Sequence, residues 1–146
     1  MNVQILTNMA LNAGRVAKKL FGRSEIAMLS FSTGSSGEGE TVSMVREATE
    51  MVLKNGLDVF GPIQADAALS QAISKTKGLE NGGNANVLIF PSLDAGNISY
   101  KLCQELAGIQ SIGPFLQGFT KPICDLSRGA STEDVIAATV ISLMMI

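Results

Sequence analysis

Short apolar runs that alternate with longer segments of three- and four-residue apolar spacing leave a chain little choice but helices packed on a parallel sheet. The cleanest run is Val87-Leu-Ile-Phe90, bounded by Asn86 and Pro91, and it reads as a buried strand. Glu25 to Phe31 and Leu57 to Phe60 read the same way. Ahead of the first run, Leu6, Met9, Ala10, Ala13, Val16, Ala17 and Leu20 fall on one helical face, with Lys18 and Lys19 late and Gly22 as a stop. From about Thr41 to Lys54, Val42, Val45, Ala48 and Val52 form an apolar face opposite Arg46, Glu47 and Glu50. Gly61 to Asp66 turns into a helix running through Ile73, with Asp66 as its N-cap. The turn Pro91 to Gly96 precedes a helix from about Asn97 to Leu106. Ile109 to Leu116, broken at Gly113-Pro114, and Lys121 to Asp125 are two further extended pieces before a last helix. The order α-β-α-β-α-β-α-β-β-α predicts a three-layer αβα architecture with a mostly parallel sheet, in one α/β domain over residues 1–146.

Composition removes several classes of function. The chain has 146 residues, 46% of them hydrophobic, which suffices for a sizeable core. Eleven basic and thirteen acidic residues give a net charge of −2, and no Lys or Arg run marks a nucleic-acid footprint. No apolar run approaches the roughly 20 residues that span a bilayer, and no secretory signal follows Met1. The expected compartment is the cytoplasm. Cys103 and Cys124 are far apart in sequence and are expected as buried free thiols. Histidine is absent, which excludes Ser-His and Cys-His nucleophile pairs and every His-based metal site. No metal is expected, and proton transfer falls to carboxylate, Lys, Tyr, Cys or the substrate.

The stretch Asp125-Leu-Ser-Arg-Gly-Ala-Ser-Thr-Glu-Asp134 carries the densest chemistry. Gly129 permits a sharp turn, Ser131 is a good N-cap, and Val135, Ile136, Thr139, Val140 and Leu143 continue as a helix. Arg128 beside exposed helix-start amides, with the Ser127 hydroxyl, suits an anion such as phosphate. The same residues equally fit a capping pair of Ser131 with Asp134 and a surface ion pair of Asp125 with Arg128. The loop Thr33, Gly34, Ser35, Ser36, Gly37 is either a nest of amides for a phosphate-like group or a tight strand-to-helix turn. Asp94, Gly96 and Asn97 follow the best strand, where open α/β sheets place ligands, although Asp94 also suits a helix cap. Gln64 and Asp66 are weaker candidates. Lys75 to Asn86, with three glycines, reads as an exposed flexible connection. The apolar end, Val140 to Ile146, is expected to bury more than one face of the last helix, against something outside this sequence.

Six blocks in order resemble the phosphate acyltransferases, the family of phosphate acetyl- and butyryltransferases. They are Ile26 to Gly37, Val45 to Thr49, Gly61 to Ala68, Asn86 to Asn97, Ile112 to Gly118, and Lys121-Pro-Ile-Cys-Asp-Leu-Ser-Arg-Gly129. The resemblance implies the isocitrate/isopropylmalate dehydrogenase-like fold and reversible acetyl transfer between acetyl phosphate and coenzyme A, by direct attack of the thiol. Coenzyme A and acetyl-CoA enter as substrates, with no covalently bound cofactor. It further implies that Ser127, Arg128 and Asp134 match the family's catalytic serine, arginine and aspartate. In those roles Arg128 holds the phosphoryl group, Ser127 donates to developing charge and Asp134 assists thiol deprotonation. Family members are longer, with an N-terminal α/β segment forming one wall of the cleft. The chain is therefore expected to be the C-terminal part, completed by that segment or by self-association. Butyryl transfer is the alternative within the family. A non-catalytic acyl-CoA-sensing or oligomerisation domain, as at the C-terminus of some malic enzymes, is the alternative outside it.

Overall fold

The structure, a computed structural model, describes residues 1–79 and 82–146. It contains two compact units, residues 1–97 and 98–146. The first is built around β1 (Ile26–Leu29), whose four residues are all buried. Such a strand is apolar throughout because both of its faces are covered. It lies between β2 (Val59–Ile63) and β3 (Val87–Ile89), parallel to each, giving the order β2-β1-β3. Ile26 stands opposite both Val59 and Val87, and the register with β2 slips between Ala27 and Leu29.

The alternation of side chains across this sheet makes three layers. Ile26 and Met28 share one core with Leu6, Ala10 and Ala17 of α1 (Val3–Phe21) and Val45, Ala48 and Val52 of α2 (Glu40–Lys54). Ala27 and Leu29 point the other way, into a core with Ile63 and with Ala67 and Ala68 of α3 (Ala65–Leu69). Each fully buried Val, Leu, Ile or Met is worth about 1.5–3 kcal/mol, so these strips hold the helices down. α1 starts where the Asn2 side chain accepts the Ile5 N–H at 2.9 Å and stops at Gly22, whose φ of 72° suits a residue without Cβ.

The single helix expected from Asp66 through Ile73 is two short ones. α3 breaks at Ser70, which caps α4 (Gln71–Thr76) by accepting the Ile73 N–H. Asp66 is not the N-cap: Gln64 holds that position, and Asp66 lies in the first turn, accepting the Ala67 N–H at 2.7 Å. Of the connection Lys75 to Asn86, residues 80 and 81 lie outside the described residues. Its other parts are anchored: Gln71 donates to Asn84 at 2.8 Å, the Glu25 N–H donates to Asn86 at 2.7 Å, and Gly83 is buried. Glycine at 82 and 83 leaves room for the backbones of Gln71 and Ala67 and for the Ser74 hydroxyl.

The helix after β3 begins earlier than its apolar spacing suggests. α5 runs Leu93–Ala107, and the Ser92 hydroxyl accepts the Ala95 N–H at 3.2 Å. In residues 98–146 the two late extended pieces become β4 (Phe115–Leu116) and β5 (Ile123–Cys124). They pair antiparallel as a separate ribbon, with Phe115 opposite Cys124. α6 (Thr132–Met145) closes the chain, and only Ala138 on it is buried. Cys103 is exposed and Cys124 half-buried, both as free thiols, which corrects the expectation that both are buried.

Gly61 is the tightest point between β2 and β1: a Cβ there would stand 2.6 Å from Met28 Cβ and 2.9 Å from the Met28 carbonyl oxygen. Because one of those atoms is backbone, the sheet itself must shift. Gly61→Ala is therefore expected to cost about 1–3 kcal/mol. A thermal melt checks it, and an unchanged midpoint would contradict this packing.

Candidate functional site

The Ser127–Arg128 pair stands on the loop between β5 and α6, and Asp134 on the first turn of α6. The loop is folded by short-range bonds: the Ala130 N–H donates to the Ser127 carbonyl at 3.0 Å, and the Gly129 N–H to the Ser127 hydroxyl at 3.4 Å. Upstream, the Asp125 N–H donates to the Pro114 carbonyl at 2.9 Å, tying the loop's base to the β4 side of the ribbon. Ser127 and Arg128 are both exposed.

The two local readings of this stretch separate. Ser131 and Asp134 form a full capping box: the Asp134 N–H donates to the Ser131 hydroxyl at 3.1 Å, and the Ser131 N–H to Asp134 Oδ2 at 2.9 Å. The surface ion pair does not form. Ion pairs among the described residues are Arg23 with Glu25 and Lys77 with Asp66, while the Asp125 carboxylate accepts the Leu126 N–H. The Arg128 guanidinium is thus left uncommitted. Gln110 Nε2 approaches Asp134 Oδ1 at 3.4 Å, so both carboxylate oxygens have donors. The Ser131 backbone and hydroxyl, then Gln110, hold the Asp134 carboxyl below its ordinary 3.8. Cys124 moves the other way: burial, then the neighbouring Asp125 charge, pushes its thiol above 9.0, so it is a poor nucleophile.

In residues 1–97 the loop after β1 is strongly self-bonded. The Thr33 N–H donates to the Ser36 hydroxyl at 3.0 Å, the Gly34 N–H to the Pro62 carbonyl at 2.9 Å, and the Ser36 N–H to the Thr33 carbonyl at 3.0 Å. Three of its amides are thereby spent, which suits the tight-turn reading better than an open nest. Arg46 on α2 donates to the Gly34 carbonyl at 3.1 Å. Asp94, Gly96 and Asn97 sit inside the first turns of α5, with Asp94 and Asn97 exposed. Ser92, not Asp94, supplies the hydroxyl that caps the start of that helix.

A cleft of about 490 Å³ opens beside Met1, Asn2, Val3, Glu40, Thr41, Met44, Pro91 and Ser92, where α1, α2 and α5 begin. Sequence spacing gave no hint of three participants: Arg46 at the loop, Gln110 at Asp134, and Lys77, whose ammonium donates to Gln64 Oε1 at 2.8 Å and to both Asp66 oxygens at 2.9 Å. Each lies more than ten residues from its partner, beyond any helical or strand period. Among the described residues no group of three or more Cys, Asp or Glu could hold a metal ion, and no helix is long and apolar enough to cross a membrane.

Known proteins match nearly all of the chain. A sequence profile described as phosphate acetyl/butaryl transferase matches residues 2–143. The phosphate acetyltransferase of Buchnera aphidicola subsp. Acyrthosiphon pisum is 52% identical over 123 residues, which are 81% of this chain and 17% of that protein. The phosphate acetyltransferase of Clostridium acetobutylicum is 43% identical over 144 residues, 95% of this chain and 43% of its own length. A phosphotransacetylase from Streptococcus pyogenes superposes with a TM-score of 0.90 at 41% identity, covering 99% of this chain and 45% of that one. The chain thus spans less than half the length of these relatives.

Because Asp134 titrates below 3.8 when folded, folding favours its ionised form. That contribution to stability is complete above the unfolded value and is lost as the pH falls through the lower folded one. A side-chain carboxyl NMR titration should place Asp134 below 3.8, with the start of α6 fraying in the same range. A midpoint above 3.8 would mean that the capping box is open in solution.

Proposed function

The chain belongs to the phosphate acetyl/butaryl transferase family, and on that premise we propose that it forms part of an enzyme moving an acetyl group reversibly between acetyl phosphate and coenzyme A. The observation that carries the reading is the uncommitted, exposed Arg128 guanidinium next to the Ser127 hydroxyl, in a family whose named relatives are phosphate acetyltransferases. A guanidinium fork matches two phosphoryl oxygens, and an unpaired one binds them without first breaking another contact.

In this reading Arg128 grips the phosphoryl group and Ser127 donates to the charge that develops as the carbonyl becomes tetrahedral. The thiol sulfur forms its bond to the carbonyl carbon. The carbon–oxygen bond to phosphate then breaks, and phosphate leaves with the electron pair. Asp134 is a weak base while its box is closed, since a carboxyl held below 3.8 is poorly matched to a thiol near 8.5. Its contribution is that of an acceptor that orients the S–H and steadies the partial positive charge on it, while the proton ends on the departing phosphate. Thr33 to Ser36 with Asp94, Gly96 and Asn97 form the second candidate ligand region, at the carboxyl ends of β1 and β3.

The reading includes a covering partner, either an N-terminal wall or a second copy, and a cytoplasmic setting. Leu93 is 79% and Leu106 82% exposed, and Val135, Ile136, Val140, Leu143 and Met144 are exposed on α6. Apolar surface on this scale is normally covered.

Arg128→Ala in the full-length protein is expected to lower kcat/KM for acetyl phosphate about a hundredfold or more, with an unchanged melting curve. Wild-type kinetics in that variant would remove Arg128 from the site. Asp134→Asn should lower kcat well beyond its effect on the melt. A variant that loses only stability would reduce Asp134 to a helix cap.

A further inference from the structure

Gln64 follows β2 directly, and its side-chain amide is held in one orientation. The Lys77 ammonium lies 2.8 Å from its outer atom. Ammonium can only donate, so that atom is the carbonyl oxygen Oε1, not the nitrogen. The Thr33 hydroxyl donates to the same oxygen at 3.3 Å, and the Gln64 backbone N–H donates back to Thr33 Oγ1 at 3.1 Å. Lys77 is itself fixed by both oxygens of Asp66 at 2.9 Å. Two donors therefore saturate the acceptor end of Gln64. Its Nε2 group, with two N–H donors, has no hydrogen-bond partner among the described residues. Gln64 is only partly exposed, which limits the water that can serve those donors.

We propose that Gln64 is a substrate-binding residue that donates from Nε2 to an acceptor oxygen of the substrate, and that Lys77 is the positioning residue that keeps the amide turned that way. The inference rests on the acyltransferase reading, which supplies two sources of such an oxygen: the phosphoryl group and the amide carbonyls of the coenzyme A arm. Turning the amide over would set its N–H groups against the ammonium and the hydroxyl. Lys77 therefore excludes the non-binding orientation electrostatically, with Asp66 keeping it in place.

Gln64→Glu separates binding from scaffolding. A carboxylate still accepts from Lys77 and Thr33, so the network survives, but it offers no donor to a ligand. Calorimetric titration of the full-length protein with inorganic phosphate and, separately, with coenzyme A should show one of the two weakened about tenfold, at an unchanged melting temperature. The affected ligand identifies the source of the oxygen. Gln64→Met, which carries neither donor nor charge, should weaken the same ligand, and it takes over the test if the glutamate variant melts early. Lys77→Met should weaken that ligand in part, with Lys77→Arg restoring it. Wild-type affinity for both ligands in Gln64→Glu and Gln64→Met overturns the inference while leaving the acyltransferase reading intact. A wild-type protein that binds neither ligand overturns both.

Discussion

Burial of β1 on both faces is the constraint on which the rest of residues 1–97 depends. Its four residues share themselves between two cores, Ile26 and Met28 to one, Ala27 and Leu29 to the other. Its two edges are taken by β2 and β3. A strand held on all four sides has a fixed end, and the loop from Thr33 to Ser36 leaves from that end. The loop's self-bonding then completes what the strand begins. Gly34 is tied to Pro62 of β2, and Arg46 reaches it from α2, so its shape is set by three elements together.

Much of this was legible because period and burial go together in a layered fold. The apolar spacing of Leu6, Ala10 and Ala17, and of Val45, Ala48 and Val52, marks the residues that meet β1. The capping box at Ser131 and Asp134 was legible for the same reason, since its signal is local. What failed was nonlocal or ambiguous. Asp66 looks like an N-cap by type, yet the cap position falls two residues earlier, at Gln64, and the carboxylate is claimed by Lys77, eleven positions away. α5 starts before its periodic residues do, because the Ser92 hydroxyl offers a cap that apolar spacing does not register. The break at Ser70 is invisible to periodicity because the apolar spacing runs on through Ile73, which packs against the same core as Ala67 and Ala68.

Ser127, Arg128 and Asp134 stood out by residue type as an anion site or a capping pair, their catalytic roles came only through resemblance, and the geometry divides the three. Arg128 is exposed and uncommitted and Ser127 is exposed with its O–H donor unspent, its oxygen accepting the Gly129 N–H, whereas Asp134 is engaged through both oxygens. Gln64 presents a different balance, with a saturated acceptor and idle donors. In both cases the informative quantity is the part of a polar group's bonding capacity that the fold leaves unused. That quantity depends on tertiary neighbours, which is why residue type alone does not disclose it.

The exposure of α5 and α6 bears on how firmly different parts of the chain are held. α5 has no buried side chain and α6 has one, Ala138. A helix of about fifteen residues is marginal in water by itself, and α6 is held by one narrow face on which Ala137 and Ile141 are half-buried beside Ala138. Residues around β1 open only when both cores come apart, whereas α5 and α6 have far less buried side-chain surface to expose on opening. The resulting gradient runs from a rigid strand at residue 26 to a labile last helix whose first turn carries Asp134. A surface laid over α5 and α6 would flatten that gradient, making the order of the Ser127–Arg128 loop a property conferred by that surface as much as by the chain.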